Sequence, residues 1–293
     1  MIRKHPMHGC AHPFVKVMSV VAVLAASMVT TTAANAGSLV GVPTNVVGNP
    51  SNGSAIVTWT APAQTPTTPP VDSYDATCTA AGNPDNTVTV SGIPGTDTAA
   101  QVAGLTNGTQ FTCAVRAHSG DAVGVYSDPS APFTPSDMTV AQFVDPSAGG
   151  TVNLTPGEDS KGTSGQFSVP PQTPTGGALA ASSSGSVILT AFLFGNPGEV
   201  APSCGGNTCI GQGIDWSISD PNAIGLMQVT FIETAALTHG AKAKTAIVYK
   251  NDLPLPNCKK KVKINCVSDR DNTKGGGWEI TIKVDGKDPH GRT

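Results

Sequence analysis

The sequence predicts an all-β protein that consists of two antiparallel β-sandwich domains in succession. Three observations support this fold class. Apolar residues occur in short alternating runs, many of them are β-branched, and the runs are separated by Gly, Pro and Asn-Gly turns. Charged residues make up only 13% of the 293 residues, whereas Gly and Pro contribute 33 and 24. Long helices would need more leucine, glutamate and lysine at helical spacing.

Residues 1–36 have the organisation of a secretory signal peptide. A basic start without acidic residues is followed by an apolar stretch at 17–29, and Ala34 and Ala36 have the A-x-A spacing of a cleavage site. The apolar stretch is too short to cross a hydrocarbon layer of about 30 Å as a helix, so an uncleaved anchor is the less favoured alternative. We expect cleavage after Ala36, a secreted protein, and no membrane span in the mature chain.

The mature chain would keep an even number of cysteines, because Cys10 leaves with the signal peptide. The six that remain are Cys78, Cys113, Cys204, Cys209, Cys258 and Cys266. In an exported chain this number favours three disulfides.

Charge is distributed unevenly along the chain. Residues 37–136 carry a net charge of −5, residues 137–241 carry −7, and residues 242–293 carry +6. Such asymmetry is typical either of a contact surface or of domains that complement each other. The total of −3 gives no reason to expect nucleic acid as a partner.

Regular strand patterns occupy residues 42–135. The segment SAIVTWTAP places Ala55, Val57 and Trp59 on one face and Ile56 and Thr58 on the other. SYDATCTA, TVTVSG and GLTNGTQFTCAVRAHS supply further alternating strands, the last of them after an Asn-Gly turn.

These segments resemble a fibronectin type III domain of the kind that bacteria export. The resemblance is carried by VPTNV, the Trp59 strand followed by AP, SYDAT, GLTNGTQF and the closing SDPSAPFTP, in the family's order. It implies a seven-stranded, immunoglobulin-like sandwich of two sheets over residues 40–136, with Trp59 as the core tryptophan of strand B. Phe111 stands where the family usually has a corner tyrosine, so the hydrogen bond from that hydroxyl is lost.

The resemblance also implies a first disulfide. Cys78 and Cys113 fall on the segments that match strands C and F, which are neighbours in the family's sheet, and both face inward. Neighbouring strands bring Cβ atoms to about 4.5–5.5 Å, close to what a disulfide needs. We therefore expect the pair Cys78–Cys113; two buried free thiols are the alternative.

The rest of the chain is predicted to contain a linker at 137–148, a second β-sandwich domain at 149–288 and a tail at 289–293. Short strands are indicated in GGTVNLTP and SGQFSVP. Stronger ones are indicated at 186–195, 213–220, 226–233, 244–257 and 277–285. The pieces IVYKNDLPLPNC, NCVSDRD and EITIKVD resemble C-terminal β-modules that follow type III domains in exported actinobacterial proteins, and this resemblance implies no function.

The segment NCKKKVKINC at 257–266 raises a question of pairing. As a straight strand it would hold its cysteines roughly 26 Å apart, far beyond the roughly 5.5 Å between the Cα atoms of a disulfide. Either the chain reverses, giving Cys258–Cys266 and Cys204–Cys209, or each cysteine pairs with a distant one. We favour the local pairs because short loops close readily. A zinc site is disfavoured, since only Cys204 and Cys209 have a suitable spacing.

Candidate catalytic residues are sparse, and we expect no catalytic, cofactor or metal site. The mature chain contains four scattered glutamates, Glu158, Glu199, Glu233 and Glu279, and no recognisable nucleophile or metalloprotease motif. Residues 269–272 (DRDN) begin like a calcium loop but lack its glycine and closing glutamate.

These observations favour a secreted, non-enzymatic modular protein with an adhesion, spacer or binding role. Its partner would be a cell-wall or extracellular polysaccharide or another surface protein. The alternative is an accessory protein of extracellular polysaccharide degradation, or a glycosidase-type hydrolase, which would need two carboxylates about 5–10 Å apart in a cleft.

Overall fold

A computed structural model gives the fold. The structure describes residues 40–66, 68–155, 162–171, 186–194, 209, 211–220, 223–251, 253–273, 276–285 and 290–292. The described residues belong to one compact unit, Ser38–Thr293. The predicted signal peptide and its cleavage site lie outside the described residues. No helix in the described residues is long and apolar enough to cross a membrane.

The first sandwich consists of two antiparallel sheets. Its strands are β1 (Thr44–Ser51), β2 (Ser54–Thr60), β3 (Ser73–Ala80), β4 (Asn83–Pro94), β5 (Ala99–Ala103), β6 (Phe111–Ser119) and β7 (Ala122–Val123). The sheets have the strand orders β1-β2-β5 and β4-β3-β6-β7. The predicted fold class is confirmed for this part of the chain.

Alternation along the strands builds the core of this sandwich. Ala55, Val57 and Trp59 are buried on the inner face of β2, as the sequence pattern predicted. The ring of Trp59 meets the ring of Tyr74 from β3 edge-on, with 5.1 Å between the ring centroids. Aromatic pairs favour this geometry, and the contact joins the two sheets.

Phe111 occupies the position where a corner tyrosine was expected. Its side chain is fully buried. Its backbone N–H donates to the carbonyl of Phe133 at 2.8 Å, and the N–H of Phe133 donates back to Phe111 at 3.0 Å. Main-chain pairing therefore ties the closing segment to β6 without a side-chain hydroxyl.

The second sandwich also has two antiparallel sheets. Its strands are β8 (Thr139–Val144), β9 (Gly150–Leu154), β10 (Thr163–Val169), β11 (Val187–Phe194), β12 (Gly213–Ile218), β13 (Leu226–Glu233), β14 (Tyr249–Lys250), β15 (Leu253–Pro254), β16 (Cys266–Asn272), β17 (Trp278–Asp285) and β18 (His290–Arg292). One sheet has the order β18-β12-β11-β8 and the other β16-β17-β13-β10-β9, while β14 and β15 pair only with each other. A four-residue helix α1 (Ala235–Thr238) and a 3-10 turn (Ala243–Thr245) follow β13.

Three segments differ from the sequence-based expectation. The predicted linker 137–148 contains β8, which pairs with β11, and the predicted tail 289–293 contains β18, which pairs with β12. The predicted strand at 244–257 is instead a 3-10 turn and the short β14–β15 hairpin. Its prolines, Pro254 and Pro256, have no N–H to donate to a ladder, and Asn251 turns the chain at a φ of 50°.

The two sandwiches contact each other directly. Ile56, on the outer face of β2, is buried in a small apolar cluster with Ala141 of β8 and Ile188 of β11. The N–H of Asn52 donates to the carbonyl of Thr139 at 3.2 Å beside this cluster. Because Ala141 and Ile188 project away from the core of their own sandwich, the contact joins the outer face of β2 to the outer face of β8 and β11.

We expect the contact between the sandwiches to contribute measurably to stability. Ile188→Ala should lower the free energy of unfolding by about 2 kcal/mol, because it leaves a cavity against Ile56. Urea denaturation monitored by tryptophan fluorescence and circular dichroism measures this change. Ile247→Ala is the matched control, since Ile247 is 61% exposed. Equal effects of the two substitutions would show that the contact adds no stability.

Candidate functional site

Two disulfides have both cysteines among the described residues, and each lies within one sandwich. Cys78 and Cys113 are directly opposite each other on β3 and β6, with their Cα atoms 4.0 Å apart. Cys258 and Cys266 are joined across a chain reversal, with Cα atoms 5.0 Å apart. Cys209 is also disulfide-bonded; its predicted partner, Cys204, lies outside the described residues.

A charged group on the outer face of β3 and β6, the Asp75 cluster, consists of Asp75, Arg116, His118 and Tyr126. Arg116 donates to Oδ2 of Asp75 from Nε at 3.0 Å and from Nη2 at 2.8 Å. Nε2 of His118 lies 2.9 Å from the same oxygen. The Asp75 side chain is only 7% exposed although it is on an outward-facing position.

Tyr126 covers the Asp75 cluster from the solvent side. The guanidinium of Arg116 lies 4.8 Å from the centroid of its ring, which is a cation–π contact. The Tyr126 hydroxyl is 3.0 Å from Oγ1 of Thr77, which is 2.9 Å from Oγ1 of Thr89. The carboxylate of Asp75 is therefore paired within the domain, whereas Arg116 and Tyr126 remain partly exposed to solvent.

A second polar group, the Glu233 pocket, consists of Glu233, Thr163, Gly211 and Gln212. Glu233, at the end of β13, is 8% exposed. The hydroxyl of Thr163 donates to its Oε2 at 2.7 Å and accepts from the N–H of Gln212 at 2.9 Å. A Cβ at position 211 would collide with the carboxyl group, so a larger residue there would require the Glu233 side chain to move.

Among the glutamates that the structure describes, Glu233 and Glu279 do not form a carboxylate pair. Glu279 on the neighbouring strand β17 is exposed, and it pairs in register with the exposed Ile232 rather than with Glu233. The two carboxylates thus project to opposite faces of the sheet. Glu158 and Glu199 lie outside the described residues.

The DRDN segment, residues 269–272, holds the 3-10 turn against strand β16 through hydrogen bonds. Nη1 of Arg270 donates to the carbonyls of Ala243, at 3.3 Å, and Ala246, at 2.5 Å. Oδ1 of Asn272 accepts from the N–H of Ala243 at 3.0 Å. These bonds fasten the 3-10 turn to β16. Among the described residues, no group of three His, Cys, Asp or Glu side chains could hold a metal ion.

A third group, the basic hairpin, comprises residues 258–266. The N–H groups of Lys259 and Val262 donate to each other's carbonyls at 2.9 and 3.0 Å. This places Lys260 and Lys261 at the tip of a two-residue turn. The disulfide closes the base of the hairpin, where Asn265 has a φ of 52°. The reversal therefore needs neither Gly nor Pro.

Comparison with known proteins assigns the first sandwich. Residues 41–133 match the model of the Fibronectin type III domain. The first sandwich is a fibronectin type III domain. No curated protein matches the chain. The second sandwich, with the Glu233 pocket and the basic hairpin, lies beyond the residues that the family model matches.

The solved structures that are similar to this chain each align with about a third of it, which is close to the fraction that the family model matches. A myokine structure is 19% identical over 33% of this chain and 98% of its own, with a TM-score of 0.28. The FN5 domain of Drosophila Lar is 19% identical over 33% of this chain and 96% of its own, with a TM-score of 0.27. The chicken CNTN1 FN1-FN3 domains are 19% identical over 33% of this chain and 32% of theirs, with a TM-score of 0.27.

Asp75 and Glu233 have pKa values shifted in opposite directions. Burial by itself raises the pKa of Asp75, but hydrogen bonds from Arg116, His118 and Ser91 outweigh it and hold the pKa below its ordinary value. Burial raises the pKa of Glu233 to about 8, and the hydrogen bond from Thr163 offsets this only in part. At neutral pH the type III domain therefore contains a buried ionised carboxylate, and the second sandwich a buried protonated one.

We expect Asp75→Asn to lower the free energy of unfolding by about 2 kcal/mol at pH 7, because the hydrogen bonds from Arg116 and His118 to a charged group are lost. A depressed pKa contributes stability above the unfolded value of 3.8, and this contribution is lost as the pH falls through the folded value. The difference between variant and wild type should therefore shrink at pH 3. Denaturant titrations test this, with the exposed Asp85→Asn as control; a difference independent of pH would contradict it.

Glu233→Gln should become progressively more stable than the wild type as the pH rises. A raised pKa contributes stability that is present in full below the unfolded value of 4.5 and is lost as the pH rises through about 8. We expect the free energies of unfolding of Glu233→Gln and the wild type to differ little at pH 4 and by a few kcal/mol at pH 9. Denaturant titrations across this range measure the difference. Glu279 is exposed on the same sheet, so the Glu279→Gln control should show no such trend. If the stability difference between Glu233→Gln and the wild type does not change with pH, the buried carboxyl of Glu233 is not neutral.

Proposed function

We propose that this chain is an exported, non-enzymatic protein whose type III domain serves as a binding or spacer module at the cell surface or in the medium. The observation that carries the proposal is the Cys78–Cys113 disulfide inside a fibronectin type III domain. Type III domains are typical of extracellular binding and spacer modules. Disulfides persist in oxidising surroundings and are rare in the cytosol.

The direct contact between the sandwiches supports a spacer or a presenting role. The buried cluster of Ile56, Ala141 and Ile188 includes a residue of the segment 137–148, for which the sequence predicted a linker. Binding surfaces on the second sandwich are therefore held at a defined position relative to the type III domain, which lowers the entropy lost when a partner binds.

The hydrolase alternative finds little support in the geometry. Glu233 is buried and Glu279 projects from the opposite face of its sheet. Of the aromatic residues that could form a sugar platform, Trp216 and Trp278 are buried in the core of the second sandwich. Tyr126 is 40% exposed, but it is engaged by Arg116 and Thr77.

The proposal is tested with protein collected from the medium of a secreting bacterial host that expresses the whole chain. We expect an N-terminus at Gly37, retention on isolated cell envelopes or on insoluble polysaccharide in a sedimentation assay, and no release of reducing sugar. Glu233→Gln is the control for catalysis, because it changes the buried carboxyl without a change in size. Sugar release that disappears in Glu233→Gln would establish the hydrolase instead, and a chain retained inside the cell would overturn the proposed location.

A further inference from the structure

The basic hairpin presents four lysines from a rigid base. Lys259, Lys260, Lys261 and Lys263 are all exposed. The hairpin is closed twice, by the main-chain bonds between Lys259 and Val262 and by the disulfide at its base. Both closures restrict the backbone of the loop, so little conformational freedom remains to be lost on binding.

The base of the hairpin is fixed to the core of the second sandwich. Cys266 and Val267 are buried, at 0% and 3% exposure. The N–H of Cys258 donates to the carbonyl of Val267 at 2.8 Å, and the N–H of Val267 donates to the carbonyl of Pro256 at 2.8 Å. The lysine tip is thus carried by β16, the edge strand of the five-stranded sheet.

The four lysines of the hairpin have no ion-pair partner among the described residues; both ion pairs found there involve Asp75. Along β16 itself, Asp269 and Asp271 are about 10 Å or more from Cys266, which exceeds a Debye length of about 8 Å at physiological ionic strength. On the neighbouring strand β17, Asp285 is two residues beyond Lys283, which is opposite Cys266, so this acid lies beside the base of the hairpin rather than at its lysine tip.

The surrounding charge directs an anionic partner to the hairpin. Residues 37–136 and 137–241 carry net charges of −5 and −7 and would repel it, whereas residues 242–293 carry +6. The attraction for an anionic partner therefore comes from the segment that contains the hairpin.

We propose that the basic hairpin docks a linear anionic polysaccharide of the cell surface, which names the partner class of the binding role proposed above and rests on it. The hairpin contains lysines and no arginine. The ammonium group of lysine is a point charge, and it cannot form the bidentate hydrogen bonds that a guanidinium makes with a carboxylate or phosphate. Recognition therefore depends on the density of negative charge along the polymer rather than on the identity of its acidic groups.

The composition of the hairpin favours a polymer over a bilayer surface. Surface-bound membrane segments combine basic residues with a broad apolar face. In the hairpin, which the structure describes throughout, the tip consists of Lys260 and Lys261, and the one exposed aliphatic side chain is Ile264, at 45%. A narrow charged tip can be surrounded by a flexible polymer but offers little apolar area to a lipid layer.

The test measures binding of the chain from residue 37 onward to fluorescein-labelled polygalacturonate by fluorescence anisotropy at 20 and 150 mM NaCl. Lys260→Gln/Lys261→Gln should weaken binding roughly 25-fold at 20 mM, since each lysine near an anionic surface contributes about 1 kcal/mol. Lys242→Gln/Lys244→Gln removes the same charge from exposed positions outside the hairpin and should change binding less than twofold. Lys260→Arg/Lys261→Arg should keep the wild-type affinity within about twofold.

A further variant separates the fixed geometry from the charge. Cys258→Ser/Cys266→Ser keeps all four lysines but removes the covalent closure, and it should weaken binding severalfold, with far-UV circular dichroism confirming that the sandwich remains folded. Polyphosphate of similar charge spacing should compete with polygalacturonate. No binding at 20 mM NaCl, or equal losses in the two lysine-to-glutamine variants, would overturn the proposal.

The remaining outcomes distinguish polysaccharide binding by the hairpin from the broader proposal of an exported, non-enzymatic binding protein. Tighter binding to vesicles of phosphatidylcholine and phosphatidylglycerol (7:3) than to the polymer, lost in Ile264→Ser, would overturn it in favour of a bilayer. If Lys260→Gln/Lys261→Gln is retained on cell envelopes as well as the wild type, the hairpin proposal fails while the binding role stands. Release of reducing sugar would contradict the non-enzymatic function without involving the hairpin.

Discussion

The unbroken antiparallel pairing of β3 with β6 determines most of what is specific to the type III domain. In one register, Cys78 is opposite Cys113 on the inner face and Asp75 is opposite Arg116 on the outer face. The disulfide and the ion pair therefore depend on the same alignment. A slip of one residue would turn every side chain of one strand to the other face, which would break both interactions at once.

The fold was largely predictable because its strands have clear period-two patterns. Residues 226–233 were predicted as a strand and form β13. β8 was missed because a short run between Pro- and Gly-rich segments resembles a linker until its partner β11 is known. The prediction of a strand at 244–257 was wrong, because the prolines and the turn at Asn251 outweigh the strand preference of the β-branched residues. The Asp75–Arg116 pair could have been found, because the expected Cys78–Cys113 pairing fixes its register.

The Glu233 pocket could not have been predicted from the sequence. Its carboxyl is buried by Thr163 and by the Gly211–Gln212 segment, which are far apart in sequence, so no local pattern signals it. Asp75 is buried to a similar degree yet remains charged, since Arg116 and His118 surround it. The Arg116 guanidinium and the hydrogen bonds to Asp75, rather than burial alone, account for the opposite pKa shifts of these two carboxyl groups.

The buried position of Ile56 limits how freely the type III domain could be exchanged between proteins. A type III domain in a string of similar modules can be moved as a unit when its outer sheet faces are polar. Here an isoleucine on such a face depends on Ala141 and Ile188 for its cover. Transplanting the domain alone would leave an apolar side chain in water. In recombination, natural or designed, the two sandwiches of this chain are therefore expected to be inherited together.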